Sequence, residues 1–303
     1  MPVDAGLLSE LAVDPGSAAG LDGRSTSWRR KLFGEVEPAD AKRSCKGMLA
    51  EYTRELSEAQ ELLWASDTYS LLIVLQALDA AGKDGTIKHV MSGVNPQGCH
   101  VRSFKQPSAE ELDHDFLWRA AKALPERGQI GIFNRSYYEE VLVVRVHPEF
   151  LESQRLPPGP IDERFWQRRY ESINDFERHL DRSGTKLVKI FLHLSKEEQR
   201  ERLLARLDEP DKEWKFSASD VEERAHWDEY VRAFEDAITA TSTDWAPWYV
   251  VPADQKYISR TLVAGIIAHT VRALDLEYPE VDPEDRAANQ AARLQLQAEG
   301  EGD

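Results

Sequence analysis

One segment of the chain has residue types at a spacing that phosphate chemistry uses. Residues 76–86 read Gln76-Ala77-Leu78-Asp79-Ala80-Ala81-Gly82-Lys83-Asp84-Gly85-Thr86. A loop of small residues that closes on Gly-Lys and opens a helix turns backbone amides and a helix N-terminus toward a phosphate. The lysine adds a full positive charge. Two positions depart from the usual phosphate loop. Ala77 stands where glycine is usual, and Asp84 stands where a hydroxyl usually reaches Mg²⁺. Asp79 and Asp84 can replace that hydroxyl as carboxylate ligands, directly or through water, which suits a hard cation. A Gly-Lys pair alone reads as a capped surface turn; a buried strand before it and a helix after it favour the phosphate loop.

A second constellation follows the apolar run at 129–133: Asn134-Arg135-Ser136-Tyr137-Tyr138-Glu139-Glu140. Open α/β sheets bind ligands at the carboxyl ends of their strands, and a guanidinium there grips phosphate oxygens in pairs. Arg135 is therefore a phosphate ligand, weighed against a plain salt bridge to Glu139 or Glu140 one turn on. Asn134 sits where a metal-holding carboxylate is common, but it carries no charge. Tyr137 and Tyr138 read as packing or base-stacking residues. Downstream, Arg200, Arg202 and Arg206 precede a polar insertion carrying Lys212 and Lys215. Mobile cationic lids of this kind close over transferring phosphates. The bland alternative is a solvated helix face in which arginine and glutamate alternate.

The elements that must carry these residues alternate. Apolar runs at 71–76, 99–104, 129–133, 187–193 and 248–251 are each followed by a helical pattern. The helices are expected at 83–92, 110–124, 161–182, 196–207, near 220–242 and at 256–273, with another at 46–66 before the first strand. Ser108 with Glu111 and Ser195 with Glu198 have capping-box spacing. The run at 71–76 lacks polar alternation, as a strand covered on both faces should. This predicts an α/β fold with a five-stranded parallel sheet and helices on both faces. The expected organisation is an N-terminal arm over 1–45, partly disordered or draped on the body. A P-loop domain follows over 46–273 with a lid at about 196–224, then an acidic extension over 274–303.

Composition constrains the partners. The 303 residues carry 54 acids against 38 lysines and arginines, a net charge of −16. That disfavours nucleic acid and anionic membranes. Yet between 83 and 105 Lys83, Lys88, Arg102 and Lys105 face only Asp84, while nine acids crowd the tail from Asp275. The expectation is a confined cationic channel on a negative protein. Cys45 and Cys99 lack metal-ligand spacing, and the histidines are scattered. Without a signal-peptide pattern or an apolar run of about 18–20 residues, a cytoplasmic protein is expected.

These motifs together resemble the polyphosphate kinase 2 family. The resemblance runs from Asp79-Ala80-Ala81-Gly82-Lys83-Asp84-Gly85-Thr86-Ile87-Lys88 through Gly93-Val94-Asn95-Pro96-Gln97-Gly98 and His114-Asp115-Phe116-Leu117-Trp118-Arg119. It continues in Ile132 to Val146 and in Lys212-Glu213-Trp214-Lys215-Phe216-Ser217, and it spans about residues 45–272. It implies a thymidylate-kinase-like P-loop fold and Mg²⁺-dependent, reversible phosphoryl transfer from inorganic polyphosphate to nucleotides. By position, Lys83 would bind the transferring group, Asp79 would hold metal and nucleotide, and Arg135 would bind phosphate. Ala81, Gly82, Asp84, Gly85, Thr86, Lys88, Arg200, Lys212 and Lys215 complete the expected phosphate-binding set. Asn134, Tyr138 and Glu139 form the expected nucleotide contacts, with Asn134 and Glu139 as further metal candidates. The Asn-Arg-Ser-Tyr-Tyr-Glu form looks like the branch that accepts nucleoside monophosphates, which marks Glu139 as a specificity position. A homo-oligomer, dimer or tetramer, is expected from the resemblance. An ATP-dependent kinase of the same fold and a non-catalytic nucleotide- or polyphosphate-binding protein are the alternatives.

Overall fold

The computed structural model describes residues 3–300; the side chains of Ala5, Lys215 and Gly300 lie outside the described residues. Five strands form one all-parallel sheet: β1 (Ser70–Ala77), β2 (Cys99–Ser103), β3 (Ile130–Asn134), β4 (Thr185–His193) and β5 (Trp248–Pro252). Their spatial order is β2-β3-β1-β4-β5. All eight residues of β1 are buried, as its unbroken apolar run requires of a central strand. β2 is an edge, and its Val101, Arg102 and Ser103 are exposed.

Side chains alternate along β1 and so feed two cores. Leu71, Ile73 and Leu75 pack under α1 (Pro38–Ser66), α2 (Lys83–Val90) and the long helix Lys256–Arg272. Leu72 and Val74 face α3 (Glu163–Arg182), the 137–142 turn and Trp227–Thr241. Between these lie α4 (Lys196–Asp208) and α5 (Ala218–Glu223). We number Trp227–Thr241 as α6, Lys256–Arg272 as α7 and the exposed C-terminal Pro283–Gly300 as α8. No helix among the described residues is long and apolar enough to cross a membrane.

Three expected elements differ. The 46–66 helix begins earlier, at Pro38, because proline is well suited to the first helical turn. The single helix at 110–124 is two short ones, Ala109–Leu112 and Trp118–Ala121. Asp115 Oδ1 accepts the Leu117 amide at 2.9 Å and starts a new turn between them. The 220–242 helix divides at Arg224–His226. The Ser108–Glu111 pair forms a full capping box. Ser195 caps α4, but the Glu198 carboxylate turns to Arg202 instead of back to the cap.

The arm is draped on the body. Leu8, Leu11, Val13, Leu21 and Trp28 are buried. The Val13 amide donates to Trp248 O at 2.9 Å, and the Val250 amide donates to Leu11 O at 2.8 Å. The last strand thus gains hydrogen bonds from a segment that shows no sequence period of its own.

Candidate active site

The loop 78–82 leaves β1 in a left-handed bend. Ala80 has φ +61° and Gly82 φ +100°. Glycine adopts this conformation freely, whereas alanine is strained in it, so the loop must be held from outside. The holder is Arg202 of α4, which is 7% exposed. Its Nη1 donates to Ala80 O at 3.1 Å and Ala81 O at 2.8 Å. Its Nη2 donates to Ala253 O at 2.6 Å and Asp254 O at 3.0 Å, and its Nε donates to Glu198 at 2.8 Å. One guanidinium therefore joins the 78–82 loop to the end of β5. Gln199, three residues earlier on α4, donates to Asp79 O at 3.1 Å and accepts from Arg224 at 2.7 Å.

Lys83 opens α2 and folds back on the loop. Its Nζ donates to Ala77 O at 2.8 Å and Leu78 O at 3.4 Å. Burial pushes its pKa down and the Arg135 charge adds to that; Asp79, Glu139 and Asp84 pull it back up. Arg135 leaves β3 at φ +62°. Its Nη2 meets Asp79 Oδ1 at 2.8 Å and its Nη1 meets Glu139 Oε2 at 3.1 Å. The Glu139 charge foremost holds the guanidinium pKa up. Asn134 Nδ2 donates to Asp84 Oδ1 at 2.7 Å. Asp79, Lys83, Asp84, Asn134, Arg135 and Glu139 are thus brought together across β1 and β3.

A cavity of about 640 Å³ opens beside this group and is lined by Asp79, Arg135 and Glu139 at the loop. Its walls come from the turn after β2, from the broken 109–121 helices and from α5 and α6. Phe104, Phe116 and Phe150 supply apolar surface of the kind a nucleobase packs on.

Several expected residues lie elsewhere. Tyr138 is fully buried and off the cavity: its hydroxyl donates to Glu177 at 2.8 Å and accepts from Lys189 Nζ at 3.0 Å. It anchors the core beneath the turn, so the expected nucleotide contact is corrected; its neighbour Tyr137 lines the cavity instead. Arg200 is exposed and paired with Glu201 at 2.8 Å, away from the loop, because two positions along α4 it points outward where Arg202 points in. Lys212 pairs with Glu209, and the Lys215 side chain lies outside the described residues. Lys88 is exposed on α2, and Thr86 is buried in its first turn. Gly85 and Ala81 lie within the loop and the start of α2, with Ala81 buried under Arg202.

The cationic channel is also corrected. Seven carboxylates line the cavity against four lysines and arginines. Distant elements deliver acids that a local count misses, among them Asp220 and Glu223 of α5, while Arg102 is exposed and faces Glu111 at 3.8 Å. Sequence reasoning placed Arg202 among the lid arginines and missed its grip on the 78–82 loop, and it assigned no site role to Gln199 or Arg224. The signal was present in Glu198-x-x-x-Arg202, an i,i+4 pair at the start of a helix after a strand.

The family model for Polyphosphate kinase 2 (PPK2) matches residues 40–280. The chain belongs to the polyphosphate kinase 2 family. A protein of Rhodopseudomonas palustris named ADP-polyphosphate phosphotransferase is 54% identical over 264 residues, covering 86% of this chain and 91% of that one. The AMP/ADP-polyphosphate phosphotransferase of Meiothermus ruber is 48% identical over 77% of this chain and 83% of its own length. The crystal structure of polyphosphate kinase 2 from Arthrobacter aurescens TC1 superposes with a TM-score of 0.81 at 41% identity, covering 94% of this chain and 95% of that one. The α/β fold expected of a family member is the one found here.

Proposed function

We propose that this family member transfers a phosphoryl group from inorganic polyphosphate to AMP or ADP. One observation carries the reading. Lys83 and Arg135 converge where a phosphate loop meets a nucleotide-sized cavity, in a chain 48% identical to a protein named AMP/ADP-polyphosphate phosphotransferase. The acceptor phosphate is already anionic at neutral pH, so no strong base is required. Catalysis comes from positioning and charge. The Lys83 ammonium leaves the Ala77 carbonyl for the transferring phosphoryl oxygen. Arg135, oriented by Asp79 and Glu139, holds the phosphate of the nucleotide in the cavity, and Glu139 sets which acceptor fits. Lid cations around Lys212 and Lys215 close over the donor.

The donor set also fits Mg²⁺. Asp79 and Asp84 are hard oxygen ligands, and among the described residues no three metal-binding side chains come together. Mg²⁺ takes one or two carboxylates and fills its remaining positions with phosphate and water. Held by Asp79 and Asp84, it would supply charge neutralisation on the phosphates. The test is direct. Purified protein is incubated with Mg²⁺, polyphosphate and AMP, ADP, GMP or GDP separately, and the nucleotides are resolved. ADP formed from AMP is expected. Product with ATP as donor but none with polyphosphate would refute the reading.

A further inference from the structure

Glu198 is free to hold Arg202 because another carboxylate takes its usual place. In a capping box the glutamate at the third helical position accepts from the cap amide. At the start of α4 that amide, Ser195 N, donates instead to Asp254 Oδ1 at 2.9 Å, just beyond the end of β5. Glu198 then accepts from Arg202 Nε at 2.8 Å. Asp254 reaches the same arginine a second way, since its carbonyl accepts from Arg202 Nη2 at 3.0 Å. Its other carboxylate oxygen, Oδ2, accepts from Thr26 Oγ1 of the N-terminal arm at 2.7 Å, and its amide donates back to Thr26 O at 3.1 Å. One half-buried residue therefore joins the arm, the cap of α4 and the arginine that grips Ala80 and Ala81. Asp254 does not line the cavity, so it bears on the loop through Arg202 and not by touching substrate.

We infer that Asp254 is a positioning residue for phosphoryl transfer: it fixes the Arg202 clamp on the 78–82 loop and makes that clamp depend on the seating of Thr26. This rests on the proposed reaction and adds that an arm with no residue at the cavity sets its rate. Without the Asp254 carboxylate, the Ser195 amide has a substitute acceptor close by, because Glu198 stands at capping-box spacing. Glu198 turning back leaves Arg202 Nε without its partner. The loop, held at positive φ at Ala80 and Gly82, then loosens, and Lys83 moves with it.

Steady-state kinetics with polyphosphate and AMP, paired with amide hydrogen exchange read by mass spectrometry, test this with and without turnover. Asp254→Ala should lower kcat roughly ten- to hundredfold while the KM for AMP moves less than about twofold, because Lys83 geometry acts on the transition state. Exchange over residues 78–84 and 195–199 should quicken at least about fivefold. Asp254→Asn keeps an oxygen for the Ser195 amide and should fall between. Thr26→Val removes only the hydroxyl of the arm and should cost roughly three- to tenfold in kcat, which Thr26→Ser restores. These two milder variants keep the test sound should D254A fail to fold. The control is Glu235→Ala, which frees the arm elsewhere, at the Gly20 and Leu21 amides, each 2.8 Å from that carboxylate. It should lower Tm and quicken exchange in the arm, with kcat and the exchange of 78–84 at wild-type values. Wild-type kcat and exchange in folded D254N and T26V overturn the inference and leave the reaction standing. So does an E235A protein that loses as much kcat as T26V, or a loss confined to the KM for AMP. Wild-type protein that makes no ADP from AMP and polyphosphate, while T26V still quickens exchange at 78–84, overturns the proposed reaction and the catalytic part of the inference together.

Discussion

Removing the Arg202 guanidinium should cost both stability and activity, by amounts that follow from its contacts. Arg202→Ala strips hydrogen bonds from Ala80 O, Ala81 O, Ala253 O and Asp254 O and leaves Glu198 without its partner. Breaking a buried charge from its partners costs about 3–5 kcal/mol, with water refilling the site holding the value toward the lower end. At about 2–4 °C per kcal/mol for a domain of this size, Tm should fall on the order of 10 °C. The loop holds Ala80 and Gly82 at positive φ, and Arg202 is the side chain that grips both Ala80 and Ala81. A freed loop misplaces Lys83, and a misplacement of about 1 Å costs on the order of 10²-fold in rate. Arg202→Lys keeps the charge but satisfies fewer of the carbonyls, and should fall between. The paired assay is thermal unfolding followed by circular dichroism and initial-rate phosphorylation of AMP at temperatures well below both midpoints. An Arg202→Ala protein that melts within about 2 °C of wild type and keeps its kcat/KM would refute the clamp. Arg200→Ala, its exposed neighbour on α4, is the control and should change neither quantity.

Other outcomes are equally specific. Lys83→Ala should lose turnover by at least about 10²–10³-fold while keeping wild-type circular dichroism; near-normal rates would sink its role. Because burial and Arg135 hold the Lys83 pKa below the ordinary value of about 10.4, the alkaline limb of kcat/KM should fall below that pH. A limb at or above it would contradict the environment described. Tyr138→Phe should lower stability by about 1–3 kcal/mol through Glu177 and Lys189, with the KM for nucleotide unchanged; a large KM rise in a fully stable variant would restore the base-contact reading. His193 contacts Leu21 O of the arm at 3.1 Å, and burial pushes its pKa down. The unfolded chain then takes the proton first, so its contribution is full above about pH 6.5 and is lost as pH falls toward the folded value. Melts between neutral and mildly acid pH should show a slope that His193→Gln reduces by up to about 1.4 kcal/mol per pH unit; an unchanged slope would assign the acid sensitivity elsewhere.

The cost of reading charge from a linear count is plain at the cavity. Lys83, Lys88, Arg102 and Lys105 are close in sequence, but Lys88 faces solvent from α2, and the carboxylates that line the site arrive from the turns after β1 and β3, from the 109–121 segment and from α5. Tyr138 failed for a related reason. It adjoins a cavity residue in sequence, yet Tyr137 alone faces the cavity, and only the packing of α3 and β4 behind it reveals Glu177 and Lys189.

By itself the sequence determined what local physics controls. Unbroken apolar runs require strands covered on both faces, their alternation with helices requires a parallel sheet, and Gly82-Lys83 falls between a strand and a helix. Arg135 after the third strand also follows from sheet topology, since strand ends converge on one edge. Tertiary structure decided what depends on phase and distance. It chose Arg202 over Arg200 as the buried arginine, sent Tyr138 into the core, and laid the patternless arm along β5. It also gathered the carboxylates of the cavity lining from separate elements. Each of these outcomes rests on contacts between residues tens to hundreds of positions apart, and such contacts exist only once the chain has closed on itself.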